Sequence, residues 1–310
     1  MKLRLETIGR YRWKRRRLSI IVAGLLSLFC VGAIAPTAWA DEPAAAQAPD
    51  KAVYTAFNPT PNDLERAFCT DRPTKSTGAC TVDAGHFQLE TDLINLTIDR
   101  SGGQDVNTVL FTNPTLKFGL TNSIDIEANL APYERVETRD RTTGASTHAG
   151  GVGDLYLRAK LNLAGDDAGD FALAVSPFIK APTAARGLGN GAVEEGLVAP
   201  MSWNLPQNWS LTVDPEADAL KNSADGGRHL NLSGLVSLSR PLDKALTLSL
   251  ELWSDLEFDP RRTVRQYSFD LGAAWISPRQ PNFQLDCGLN LGLNSATPTV
   301  QVYTGVSQRY

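Results

Sequence analysis

The chain has 310 residues, 42 % of them hydrophobic, with 30 Lys/Arg against 34 Asp/Glu and a formal net charge of −4. Residues 1–40 hold eight of the basic residues and one acidic one. The remainder therefore carries 22 basic against 33 acidic residues, a net charge of −11, which excludes nucleic acid as an expected partner. Three histidines and four cysteines in no zinc-ligand spacing leave no metal or cofactor to expect.

At the N-terminus Arg15-Arg16-Arg17 precede an apolar run over 18–35, and Ala38-Trp39-Ala40 precede Asp41-Glu42. Basic, apolar and small-residue regions in that order read as a signal peptide over 1–40, cleaved after Ala40. The next segment, 41–82, shows no alternation. It opens on a Pro/Ala-rich leader at 43–49, and 62–68 has the makings of a short helix capped by Asn62 or Asp63. Cys69 and Cys80 are close in sequence in an exported chain, so a disulfide between them is expected. This segment is expected to be a periplasmic extension or a plug.

From residue 83 the texture changes. Twelve stretches of period-2 alternation follow, the mark of strands with one apolar face. In the first, Phe87, Leu89, Thr91 and Leu93 alternate, and Ile94, Leu96 and Ile98 continue on the other parity, which implies a bulge near Leu93. The second places Val106, Leu110, Leu116, Phe118 and Leu120 on its apolar face. The third and fourth set Ile124, Ile126, Leu155 and Leu157 against Asp125, Glu127, Tyr156, Arg158 and Lys160. The pattern persists to the last stretch, where Val300, Val302, Thr304, Val306 and Tyr310 oppose Gln301, Ser307 and Arg309. Connections at 121–123, 206–208 and 241–244 are short, while 137–151 and 182–192 read as long loops.

An exposed terminal strand is a bare hydrogen-bonding edge, and pairing the last strand with the first removes it. A closed sheet with an apolar outside also meets the demand of a lipid bilayer that every backbone group be paired. Twelve is even, as closure of a single bacterial chain requires. Outward aromatics Phe118, Phe171, Trp203, Trp209, Trp275, Phe283 and Tyr310 all fall at one end, as a girdle at one membrane interface would. The expected fold is thus all-β: a closed antiparallel transmembrane β-barrel over 83–310, in the bacterial outer membrane, behind a non-barrel N-terminal segment. Outer-membrane lipid and the barrel assembly machinery are its expected partners.

Several motifs carry a family resemblance. Asp71-Arg72-Pro73 with Gly85-His86-Phe87-Gln88-Leu89-Glu90, then Asn113-Pro114-Thr115-Leu116-Lys117-Phe118-Gly119-Leu120-Thr121-Asn122, then Gly151-Val152-Gly153-Asp154-Leu155, resemble the opening motifs of the "MetA-pathway of phenol degradation" family over about 70–310. The resemblance implies an outer-membrane channel for small solutes, with aromatic or other hydrophobic compounds as the suggested class. A terminal aromatic on an alternating strand also resembles the C-terminal assembly signal of such barrels, a role that falls to Tyr310.

Selectivity would reside on the inward faces. The residues expected to line the pore are Lys117, Asp125, Glu127, Tyr156, Arg158, Lys160, Lys180, Asp214, Glu216, Asp218, Glu251, Trp253, Asp255, Glu257 and Asp270. Acidic residues crowd the seventh and ninth strands, and basic ones lie on the second, fourth and fifth. That asymmetry implies a field across the pore. Crowded carboxylates in a confined space need counter-charge, so the 41–82 segment is expected to enter the lumen from the periplasm, with Arg72 pairing an inward carboxylate. A structural or adhesin-type barrel is the alternative. An outer-membrane hydrolase built on His229, Asn231 and Ser233 is a weaker one, because those side chains would face the lumen and not the lipid, and no enzyme is expected.

Overall fold

The computed structural model describes residues 50–167 and 169–310. The expected signal peptide, its cleavage after Ala40 and the 43–49 leader lie outside the described residues.

Sixteen strands form one antiparallel sheet. They are β1 (Phe87–Asp99), β2 (Gln104–Thr112), β3 (Thr115–Thr121), β4 (Ile124–Leu130), β5 (Tyr133–Asp140), β6 (Ser146–Gly151), β7 (Leu155–Ala164), β8 (Phe171–Ala181), β9 (Glu194–Val198), β10 (Met201–Leu205), β11 (Trp209–Lys221), β12 (Arg228–Pro241), β13 (Leu246–Asp259), β14 (Arg262–Ser277), β15 (Gln280–Gly292) and β16 (Val300–Arg309). Four passes across the barrel are each broken in two: β2/β3, β4/β5, β6/β7 and β9/β10. Three of the breaks fall at Asn113-Pro114, Ala131-Pro132 and Ala199-Pro200, where proline cannot donate to the ladder. The result is a closed twelve-strand barrel.

β16 pairs with β1 from Gln88–Arg309 to Ile98–Val300, with a bulge between Asp92 and Ile94. The seam ends in two main-chain bonds: Tyr310 N–H donates to Phe87 O (2.8 Å) and Phe87 N–H to Tyr310 O (3.2 Å).

The molecule is inside out relative to a water-soluble domain. Leu157, Leu197, Leu250, Leu252 and Val302 are exposed, whereas Lys117, Asp125, Lys160, Glu251 and Asp270 are buried. Outward leucines meet lipid, and the polar residues alternating with them face the lumen. At the end that carries both ends of the barrel sheet, the periplasmic end of such a barrel, Phe87 stacks on Phe118 (4.4 Å between centroids) and Phe171 packs on Trp203 (5.2 Å). Phe111 and Tyr133 form a second outward pair further along the wall.

Three local expectations fail. Residues 62–68 form a turn and extended chain, not a helix, because the Asp83 carboxylate takes the Arg66 amide and the Arg66 side chain reaches Thr81 and Asn122. The 137–151 stretch is no loop: β5 and β6 make a hairpin whose turn is confined to 141–145. Val106 and Leu110 do not share a face with Leu116. Leu110 pairs with inward Asn95, and Phe111 points out. A register shift between Leu110 and Thr112, next to the Asn113-Pro114 break, resets the parity.

Candidate functional site

Residues 66–83, ahead of β1, run inside the barrel and are held by inward side chains. Cys69 and Cys80 are disulfide-bonded and close a loop that carries Asp71, Arg72 and Lys75. Arg72 bridges the wall: Nη1 donates to Asp92 Oδ1 (2.6 Å) and Nη2 to Asp286 Oδ1 (2.7 Å). Burial opposes the Arg72 cation, but Asp286 and Asp92 outweigh it and push the guanidinium above its ordinary pKa. Gly305 faces this group, and a Cβ there would intrude on the guanidinium. The Tyr303 hydroxyl donates to Pro73 O.

On one side of the loop, Lys117 pairs with Asp71 and with Glu90 (2.7 Å), and Lys160 with Asp71 and Glu127 (3.3 Å each). Burial would raise the Asp71 carboxyl, yet Lys117 and Lys160 hold it well below the usual carboxylate range. On the other side, Lys75 Nζ lies 2.9 Å from Asp270 and 4.3 Å from the centre of the Trp253 ring. Main-chain amides complete the hold. Lys75 N–H donates to Glu251 (2.9 Å), Thr77 N–H to Asp214 (2.6 Å) and Val82 N–H to Asp125 (2.9 Å). Near the periplasmic rim Lys51 meets Asp83 and Asp167, and Arg66 meets Asp166 at 2.6 Å. Burial pushes the Asp166 carboxyl up despite Arg66.

Two cavities flank the loop. One of about 210 Å³ is lined by Asp71, Arg72, Lys75, Lys117, Arg158 and Glu216. The other, about 450 Å³, lies towards the periplasm against a wall of small hydroxyls: Ser202, Ser210, Thr212, Ser237, Ser239 and Ser249. Arg72, Thr74 and Ser76 border both, so this short run divides the lumen. A third cavity of about 260 Å³ adjoins the broken passes and is lined in part by Leu110, Ala131, Tyr156 and Leu188.

The basic inward residues thus meet partners of their own: Lys180 pairs with Glu194 (2.6 Å) and Asp154 (3.4 Å), and Arg158 with Glu127 (3.8 Å). Among the described residues, Asp214, Glu216, Asp218, Glu251, Asp255 and Glu257 form no ion pair with Lys or Arg; Asp218 and Asp255 share only the Asn231 amide. His229 faces Asn222, Glu257 and Asp259, not Ser233. Sequence reasoning missed Asp92 and Glu90 as anchors of the segment. Alternation along β1 puts both on the inward face and was the available signal.

Comparison with known proteins agrees with this architecture. A family model described as "Putative MetA-pathway of phenol degradation" matches residues 70–310. The COG4313 outer membrane channel from Pseudomonas putida F1 is similar in fold, with 15 % identity, a TM-score of 0.61, and 77 % of this chain and all of that one covered. The NanC porin is a more distant likeness, at 7 % identity and a TM-score of 0.46 over 72 % of this chain and 98 % of that one. No curated protein matches the sequence.

Proposed function

The chain belongs to the family whose model it matches over 70–310, and from that premise we propose that it is an outer-membrane channel for small polar solutes with a preference for cations. The observation that carries this reading is the imbalance of the lumen. The basic inward side chains are spent on local ion pairs, whereas among the described residues the carboxylates of β11 and β13 have no Lys or Arg partner. A wall of unneutralised carboxylates in a narrow pore raises the local concentration of cations.

In the same reading residues 41–82 act as a plug on the barrel of 83–310, with Arg72 as its latch and Lys117, Asp125, Glu127, Lys160, Asp214, Glu251 and Asp270 as its seat. Tyr156, Arg158, Lys180, Glu216, Asp218, Trp253, Asp255 and Glu257 line what space remains. Tyr310 serves the assembly machinery as the end of the seam strand. A second reading, passage of aromatic or amphipathic compounds, draws support from the partly apolar cavity beside Leu110, Tyr156 and Leu188.

Planar-bilayer recording tests both parts. Reversal potentials in a KCl gradient should show cation preference, and deletion of 41–82 should raise single-channel conductance. Anion preference overturns the first part, and unchanged conductance after the deletion overturns the second.

A further inference from the structure

Where the outer ends of β12 and β13 meet the 222–227 turn, a cluster stands apart from the plug and its seat. His229 Nδ1 lies 3.0 Å from Asn222 Oδ1, and the Asn222 amide group is oriented by its own bond to Asp225 (2.7 Å). A carboxamide oxygen only accepts, so the ring proton sits on Nδ1 and Nε2 presents its lone pair. That atom is buried in a side chain only 3 % exposed, has no hydrogen-bond partner, and faces Glu257 Oε1 at 3.2 Å. With the ring neutral, two electron-rich atoms held so close call for a cation between them, a second ring proton or a metal ion.

Asp259 stands third, on the flank of the ring, with Oδ2 3.7 Å from Nδ1. Its carboxylate is fixed by the Ser223 and Arg261 amides and the Ser223 hydroxyl, which leave a lone pair free on Oδ2. Ligand atoms of His229, Glu257 and Asp259 all lie within 4.8 Å of one another. Ligands at about 2.0–2.1 Å from a tetrahedral ion sit roughly 3.3 Å apart, so the His229–Glu257 pair already has the required spacing. Glu257 is one-third exposed, which leaves the fourth position to water.

We propose that His229, Glu257 and Asp259 bind a divalent transition-metal cation at the outer mouth of the barrel, with Asn222 as the residue that fixes the imidazole tautomer. One imidazole and two carboxylates suit Zn²⁺ or its neighbours in the first row better than Ca²⁺ or Mg²⁺, which prefer all-oxygen sets. The ligands come from neighbouring strands, which is why no spacing in the sequence betrays them.

The test uses the full chain, folded in detergent and free of any histidine tag. Zn²⁺ is titrated calorimetrically, and Co²⁺ is followed by its visible absorption. One ion per chain is expected. His229→Ala should abolish saturable binding, and Asn222→Ala should weaken it about 10- to 100-fold; His148→Ala should leave it unchanged. Heat-modifiable migration on a gel confirms that each variant is folded, and Glu257→Gln, altered at an open side chain, reads the same loss if His229→Ala does not fold. Absence of saturable binding to the wild type overturns the proposal, as does wild-type affinity in a folded His229→Ala chain. Binding is read without any current, so its outcome is independent of the channel reading.

Discussion

Replacing Arg72 with alanine removes a guanidinium that joins two carboxylates on opposite flanks of the β1–β16 seam. The Arg72 side chain is 15 % exposed, and those of Asp92 and Asp286 are 3 % and 0 % exposed. Removing one partner of a buried ion pair costs about 3–5 kcal/mol, because the other charge stays behind without compensation. At about 1.4 kcal/mol per factor of ten, undocking of the loop should become easier by roughly two to three and a half orders of magnitude. The barrel wall itself keeps its ladder, so folding and membrane insertion should survive. In single-channel records the variant should therefore show longer open bursts than the wild type. Arg72→Lys should fall between, since an ammonium cannot engage two carboxylates with a planar fork. An open probability in Arg72→Ala equal to that of the wild type would show that Arg72 does not hold the loop in place.

Three other outcomes follow from the same contacts. Asp71 has a depressed pKa in the folded chain, so its contribution is complete above its unfolded value and fades as pH drops below about 4. Acidification through that range should open the wild-type channel, and Asp71→Asn should flatten the response while raising the open probability at neutral pH; an unchanged pH profile would refute the assignment. Gly305→Leu keeps every charge but drives a side chain into the Arg72 guanidinium and against the Thr91 carbonyl of the wall, so where the chain folds it should mimic Arg72→Ala in conductance; a quiet channel would show that the loop has room to yield. Deleting Tyr310 removes both main-chain bonds that end the seam, about 1–3 kcal/mol together. The urea midpoint and folded yield should fall, and equal values for the two chains would count against a closing role.

The fold was legible because period-2 alternation survives in every pass, and the seam because the last strand is patterned like the first. The breaks were harder to read. Asn113-Pro114 and Ala131-Pro132 announce lost ladder bonds, but parity after a break depends on how many residues loop out, and for that reason alternation alone puts Leu110 on the wrong face. Segment 62–68 has good local capping residues, yet tertiary bonds from Asp83 and Thr81 draw its groups away from a helical turn. In the lumen, alternation was enough to list the inward residues; it could not say which carboxylates meet a lysine and which meet only main-chain amides. Gly119, Gly272 and Gly305, glycines on the inner faces of their strands, are visible hints of close approach by another group.

Much of the hold on the inner segment is exerted through its amide backbone. Glu251, Asp214 and Asp125 each accept from a main-chain N–H, those of Lys75, Thr77 and Val82, and Glu90 accepts from that of Asp71. An amide is present whatever side chain it carries, proline apart. Mutation can therefore rewrite the side chains of 74–77, of which Thr74 and Ser76 border both cavities, without detaching the run from the wall. Such an arrangement separates the scaffold from the filter, and a lineage could change what passes through the pore in single steps, each starting from a folded, anchored protein.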